Sequence, residues 1–158
     1  MAGCDKIPYT CCMANQLKDA AAQMAASCLA SRTRLLDRVI TAMYDEALRP
    51  AGVTSPQMTI LAALEHTGGC SPGRLCSALK LDKSTLSRNA DRMERNGWIQ
   101  RIGAQDARSH ELRLTEAGRR RFAEAFTYWK QAQQQAQEVL GKAAASTLLK
   151  VSGKIRGF

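Results

Sequence analysis

Residues 81–97 read Leu-Asp-Lys-Ser-Thr-Leu-Ser-Arg-Asn-Ala-Asp-Arg-Met-Glu-Arg-Asn-Gly. Leu86, Ala90 and Met93 recur at i, i+4 and i+7, one apolar stripe of a helix with 3.6 residues per turn. Asp82 precedes the stripe, where its carboxylate can accept from the orphan N–H groups of Ser84 or Thr85. Gly97 follows it and can take the left-handed conformation that ends a helix. The other face carries Lys83, Ser84, Thr85, Ser87, Arg88 and Arg92, short hydroxyls first and long cations after. Such a face suits the major groove of a duplex, where hydroxyls and guanidinium forks reach base edges and phosphates. An isolated basic helix is more often a solvated surface, so its neighbours in the chain decide between the two.

Upstream, Ser71-Pro72 starts a short helix to about Leu79, with Leu75, Cys76 and Leu79 inward, and Lys80-Leu81-Asp82 joins it to the basic helix. Short helix, three-residue turn and basic helix make a helix-turn-helix. Before it, Ser55 caps a helix that has Pro56 at its first position, where the missing N–H costs nothing. Met58, Ile60, Leu61 and Leu64 give that helix its buried side, and Gly68-Gly69 ends it. After Gly97 the period falls to two, so Trp98–Ile102 and His110–Leu114 read as paired strands. A ribbon directly after a recognition helix is a wing. Its tip Arg108 is placed to enter a minor groove, with Asp106 two residues earlier to pair with it and hold it.

Residues 1–13 lack periodicity and are expected to be disordered. From Asn15 to Leu48, Leu17, Ala21, Met24, Cys28, Leu35, Val39, Met43 and Ala47 recur at helical steps. A helix or helix pair of that length has more apolar face than a small domain can cover, and such faces often pair with another chain. Thr115 caps a long helix to Leu140, with Ala117, Phe122, Phe126, Trp129, Ala132, Ala136 and Leu140 inward, and residues 142–156 form a short last helix beyond Gly141. The expected class is mainly α with a small β-wing. Its parts are a disordered 1–13, a helical dimerisation region 14–48, a winged helix-turn-helix lobe 55–115 and C-terminal dimerisation helices 116–158.

Charge sharpens this reading. The chain has 158 residues, 45% of them apolar, with a net charge of +9. Residues 1–73 hold six Lys/Arg and six acids, whereas 74–121 hold twelve against six. A surplus gathered around one helix is the pattern of a polyanion-binding face. No run of about 18 apolar residues is present and no secretory signal is visible, so the expectation is a cytoplasmic chain with no membrane partner. The six cysteines show no C-x-x-C pair, and the spacing of His66, Cys70 and Cys76 fits no standard metal site. Only two histidines, His66 and His110, are present, with no nucleophile elbow, phosphate loop or paired-carboxylate motif beside them. Neither an enzyme nor a cofactor is expected.

The stretches 48–64, 81–99 and Asp-Ala-Arg-Ser-His-Glu-Leu-Arg-Leu-Thr-Glu-Ala-Gly at 106–118 together resemble the MarR (multiple antibiotic resistance regulator) family of winged-helix repressors, over roughly Leu29 to Leu149. The last stretch is the most specific, since the family's wing reads Asp-x-Arg and ends Leu-Thr-x-x-Gly before a helix. The resemblance implies a homodimer on pseudo-palindromic double-stranded DNA. Ser84, Thr85, Ser87 and Arg88 match the DNA-contacting face, with Lys83 beside them, Arg108 matches the wing-tip arginine and Asp106 the acid that fixes it. The chain departs from the family at Ser109 and Glu111, where another acid and a basic residue are usual. The family typically binds aromatic acids or drugs, for which Met43, Tyr44, Met58 and Trp129 are candidates, along with Met24. Some members sense peroxides through a first-helix cysteine, which makes Cys28 the redox candidate. A winged helix used only for protein contact is the reading of another class.

Overall fold

The computed structural model describes residues 8–103 and 110–155, with side chains for 13–103 and 110–154. The chain divides into two units, Met1–Ile40 and Thr41–Phe158. The first contains helix α1 (Pro8–Ser27) and most of helix α2 (Leu29–Leu48). Their junction at Cys28 keeps the helical ladder: its N–H donates to the Met24 carbonyl at 3.0 Å and its carbonyl accepts from Arg32 at 3.1 Å. Residues 8–13, expected to be aperiodic, are helical. Pro8 opens α1 at a position that needs no N–H. Residues 1–7 lie outside the described part. The apolar stripe of this unit faces solvent, with Leu17 67%, Met24 65% and Leu35 53% exposed.

The second unit is built on helix α3 (Ser55–Thr67), which supplies Met58, Ile60, Leu61 and Leu64 to the core. Its cap is Thr54, one residue before the expected Ser55: the Thr54 N–H donates to the Gln57 side chain at 3.1 Å. Ser55 is thereby in the first turn, and its N–H donates to Asp45 at 2.6 Å. Helix α4 (Pro72–Leu79) is capped by Ser71 as expected and ends at Lys80, which has φ +53°. Lys80 takes the left-handed conformation that a glycine would supply more cheaply. Helix α5 (Lys83–Arg95) buries Leu86, Ala90 and Met93, the stripe seen in the sequence.

Gly97, at φ +71°, turns the chain out of α5. Its N–H donates to Glu94 at 2.8 Å and that of Trp98 to Met93 at 2.9 Å, a Schellman closure. Strands β1 (Ile99–Ile102) and β2 (Glu111–Leu114) then pair antiparallel, Ile99 opposite Leu114, one residue shorter at the start of each than the sequence suggested. Cys70 adds a single bridge to Leu112, with bonds of 3.1 and 2.9 Å, so the segment before α4 forms the third rung of the wing base. Helix α6 (Glu116–Leu140) and helix α7 (Lys142–Ile155) complete the chain. On α6, Ala125, Ala132 and Ala136 are buried, but Phe126, expected inward, is 42% exposed.

Thr115 joins the wing to α6. Its side chain accepts from the Gly118 N–H at 3.0 Å and donates to the Gly97 carbonyl at 2.6 Å, while its N–H donates to the Trp98 carbonyl at 3.0 Å. A Cβ on Gly118 would stand 2.0 Å from that Trp98 oxygen. The obstacle is backbone, so it cannot rotate away. Gly118→Ala is therefore expected to cost about 1–3 kcal/mol or more in a urea melt, the scale of overpacking in a tight core. An alanine variant as stable as wild type would show that α6 does not lie this close to the start of the wing.

Candidate nucleic-acid interface

The first turn of α5 is organised by Asp82. Its carboxylate accepts from the Thr85 N–H at 2.8 Å, the Ser84 hydroxyl at 2.5 Å and the Thr85 hydroxyl at 2.7 Å. These bonds, the Ser84 hydroxyl foremost, hold its acid well below the ordinary carboxylate range. Ser84 and Thr85 therefore spend their hydroxyl protons inward and present oxygen lone pairs outward. Farther along, Arg88 lies along its own helix, its guanidinium donating to the Ser84 carbonyl at 3.3 Å and the Thr85 hydroxyl at 3.4 Å. Lys83, Ser84, Ser87, Arg88 and Arg92 are exposed and Thr85 is half-buried, so the structure gathers all six candidates on one helix.

Two acids also belong to α5, and the structure neutralises them from the wing. Arg101 on β1 donates to Asp91 at 2.5 Å and to Glu94 at 2.7 Å. Among the described residues no acid pairs with Lys83, Arg88, Arg92 or Arg95. The free cations of α5 thus remain available for an external polyanion, and the wing is tied to the helix beside it. The sequence reading missed Arg101. The i,i+3 pair Asp91 and Glu94 was the available signal, but which strand residue meets it depends on how the wing folds back.

Arg108 and Asp106 lie outside the described residues. Glu111, one of the departures noted in the wing, forms a two-pronged pair with Arg113 on its own strand, at 3.1 and 2.9 Å. Of the small-molecule candidates, Tyr44, Met58 and Trp129 line one cavity of about 290 Å³ with Phe122 and Phe126. Met43 does not line it; it stands one position away from Tyr44 on α2, which turns it about 100° around the helix. The Tyr44 hydroxyl donates to Gln133, and burial raises its pKa. Phe126 and Trp129 stack with centroids 5.4 Å apart, which explains why Phe126 leaves the core: it serves as a cavity wall.

Cys28 is half-buried, and hydrogen bonding with the Ser31 side chain lowers its thiol pKa. Burial raises that of Cys70. No cluster of metal-ligating side chains occurs among the described residues, and none of the described helices is long and apolar enough to cross a membrane.

Residues 51–109 match the model of the MarR family. Over 87 residues the chain is 31% identical to an uncharacterized HTH-type transcriptional regulator, YwoH, of Bacillus subtilis, covering 55% of this chain and 64% of that one. The chain thus spans less than two thirds of the length of this relative. Its fold is similar to the M. tuberculosis transcriptional regulator MOSR in complex with DNA, with a TM-score of 0.66 at 27% identity, over 82% of this chain and 99% of that one. It is also similar to Bordetella bronchiseptica BpsR, whose DNA binding is regulated by 6-hydroxynicotinic acid, with a TM-score of 0.71 at 20% identity, over 80% and 92% of the two chains.

Two outcomes follow from the geometry. Arg101→Met should lower stability by less than about 1 kcal/mol, because both ion pairs are partly exposed, yet speed amide exchange in β1 and β2. Unchanged exchange would mean the wing is held without Arg101. The Asp82 cap has its pKa depressed in the folded state, so its stabilisation is full above the ordinary value of 3.8 and is lost as pH falls below it. Asp82→Ala should flatten that part of the acid limb of a stability–pH profile. An identical limb in the variant would remove Asp82 from the account.

Proposed function

We propose that this chain, which belongs to the MarR family through the winged helix-turn-helix at residues 51–109, is a dimeric, sequence-specific DNA-binding transcriptional repressor released by a small molecule. The observation that carries the reading is the α5 face: cations without acid partners among the described residues, acids diverted to Arg101, and a first turn locked by Asp82. In this reading Ser84 and Thr85 accept from amino groups on base edges, Ser87 meets base edges and phosphates, and Lys83 and Arg92 neutralise phosphates. Arg88 swings off its own helix to read a base, which costs it only two long hydrogen bonds. Arg108, held by Asp106, enters the adjacent minor groove. The work is done in the cytoplasm.

A second copy supplies the other recognition helix. The first unit presents Leu17, Met24, Leu35 and Val39 to solvent, and the second presents Val139, Leu148, Leu149 and Val151. Apolar surface on that scale needs a partner, and a two-fold pair of winged helices fits half-sites one duplex turn apart. The region before residue 49 and the helices after 115 are the dimerisation elements in this scheme, and residues 55–115 the DNA-reading lobe. The effector occupies the cavity of Tyr44, Met58 and Trp129, whose stacked Phe126 and Trp129 suit an aromatic or phenolic body. It acts by favouring a spacing of the two α5 helices that no longer matches the half-sites. The solved structures of MOSR with DNA and of BpsR support both halves of the reading.

The lowered thiol of Cys28 favours a thiol-sensing variant of the same function, since thiolate character governs oxidation. The test is binding of the purified protein to the intergenic DNA upstream of its own gene, titrated across salt, with and without reductant. Tight binding that weakens steeply with salt is expected, and Arg88→Ala should lose about 1–3 kcal/mol of discrimination at one base position. Binding lost on oxidation and restored by reductant would select the Cys28 variant. A folded protein with no salt-dependent DNA affinity would reject the reading in favour of a protein-contact module.

A further inference from the structure

The hydroxyls at the start of α5 have a fixed polarity, and Asp82 sets it. An ionised carboxylate has no proton to give, so each of its hydrogen bonds runs one way. The Ser84 hydroxyl donates to one Asp82 oxygen at 2.5 Å and the Thr85 hydroxyl to the other at 2.7 Å. The Thr85 N–H joins the first oxygen at 2.8 Å. Among the described residues no cation pairs with Asp82, so none competes with the two hydroxyls for it. A free serine or threonine hydroxyl rotates and can donate or accept. These two have lost that choice. Thr85 is half-buried and its oxygen already receives Arg88 at 3.4 Å, whereas Ser84 is exposed and offers its oxygen outward as an acceptor.

For such an acceptor the major groove holds two kinds of base edge. Adenine N6 and cytosine N4 are amino donors, while guanine O6 and thymine O4 are keto acceptors. Each base pair has one of each, on opposite strands. An acceptor facing one strand therefore separates amino bases from keto bases, two against two. Before it could donate to a keto oxygen, Ser84 would have to give up its charge-assisted bond to Asp82. That loss amounts to roughly tenfold to a hundredfold in an equilibrium constant.

We propose that Asp82 is a positioning residue that determines specificity: by holding the Ser84 proton, it makes each half-site favour adenine or cytosine over guanine or thymine at the base Ser84 faces. The proposal rests on the reading of α5 as the DNA-contacting helix and adds a two-against-two rule at one operator position.

The test is a competition for the full-length protein among duplexes of the upstream binding site, each half-site base pair changed in turn to the other three. Ser84→Ala identifies the position that Ser84 faces, where discrimination disappears. There the wild type should bind adenine and cytosine within about threefold of each other, and guanine and thymine about tenfold or more weakly. Asp82→Gly removes the carboxylate while glycine remains a tolerable cap, so the helix stays and both hydroxyls rotate freely. Its preference at that position should flatten to about threefold or less. A purine lacking the N6 amino group, placed there instead of adenine, should cost the wild type about tenfold, a measurement that depends on no variant. One base preferred over the other three, a keto base preferred, no cost from removing the amino group, no position altered by Ser84→Ala, or an unchanged preference in folded Asp82→Gly would each overturn the proposal and leave DNA binding in place. A wild type that binds none of the duplexes would overturn it together with the reading of α5.

Discussion

The carbonyl of Trp98 is the point at which the winged-helix lobe is assembled. It accepts the Thr115 N–H, and helix α6 runs so close beneath it that residue 118 has no room for a Cβ. The N–H of the same residue closes the C-terminus of α5 on Met93. One peptide segment therefore fixes the exit of α5, the start of the wing and the entry to α6. Trp98 itself is buried in the core with Arg121 of α6 over its ring at 5.5 Å, which adds a side-chain contact to the backbone junction. Rigid placement of this kind lowers the ordering cost of docking α5 on any stiff partner.

Electrostatics then divides the basic residues into two classes. Arg101, Arg113, Arg119 and Arg121 are tied to acids and stitch the lobe together. Lys83, Arg88, Arg92 and Arg95, all on α5, have no such partner among the described residues. A net charge says only that a polyanion would be attracted. The partition says where it would sit.

Most of the α5 lobe was legible because its signals are local. The stripe Leu86, Ala90 and Met93, the Asp82 cap and the Gly97 stop each lie within one or two turns of the residues they govern. The Ser71 cap and the paired strands were readable for the same reason. What escaped depends on contacts distant in sequence. Arg101 meets Asp91 and Glu94 only once the wing folds back, Cys70 meets Leu112 across 42 positions, and Gly118 matters because of Trp98. Phe126 was placed inward by its spacing, yet it stands beside a cavity that periodicity cannot reveal. Lys80 hid its turn because a lysine rarely takes a positive φ: the left-handed conformation is present without the glycine that would signal it.

Whether the outer face of α5 meets DNA is answered by site-directed photocrosslinking. A photoreactive side chain replaces exposed Ser87 in one protein and exposed Glu65 on α3 in another, each bound to the upstream DNA. Crosslinks from position 87 to bases within a half-site, with none from position 65, are expected. DNA bound with undiminished affinity but crosslinked from 65, and not from 87, would contradict it.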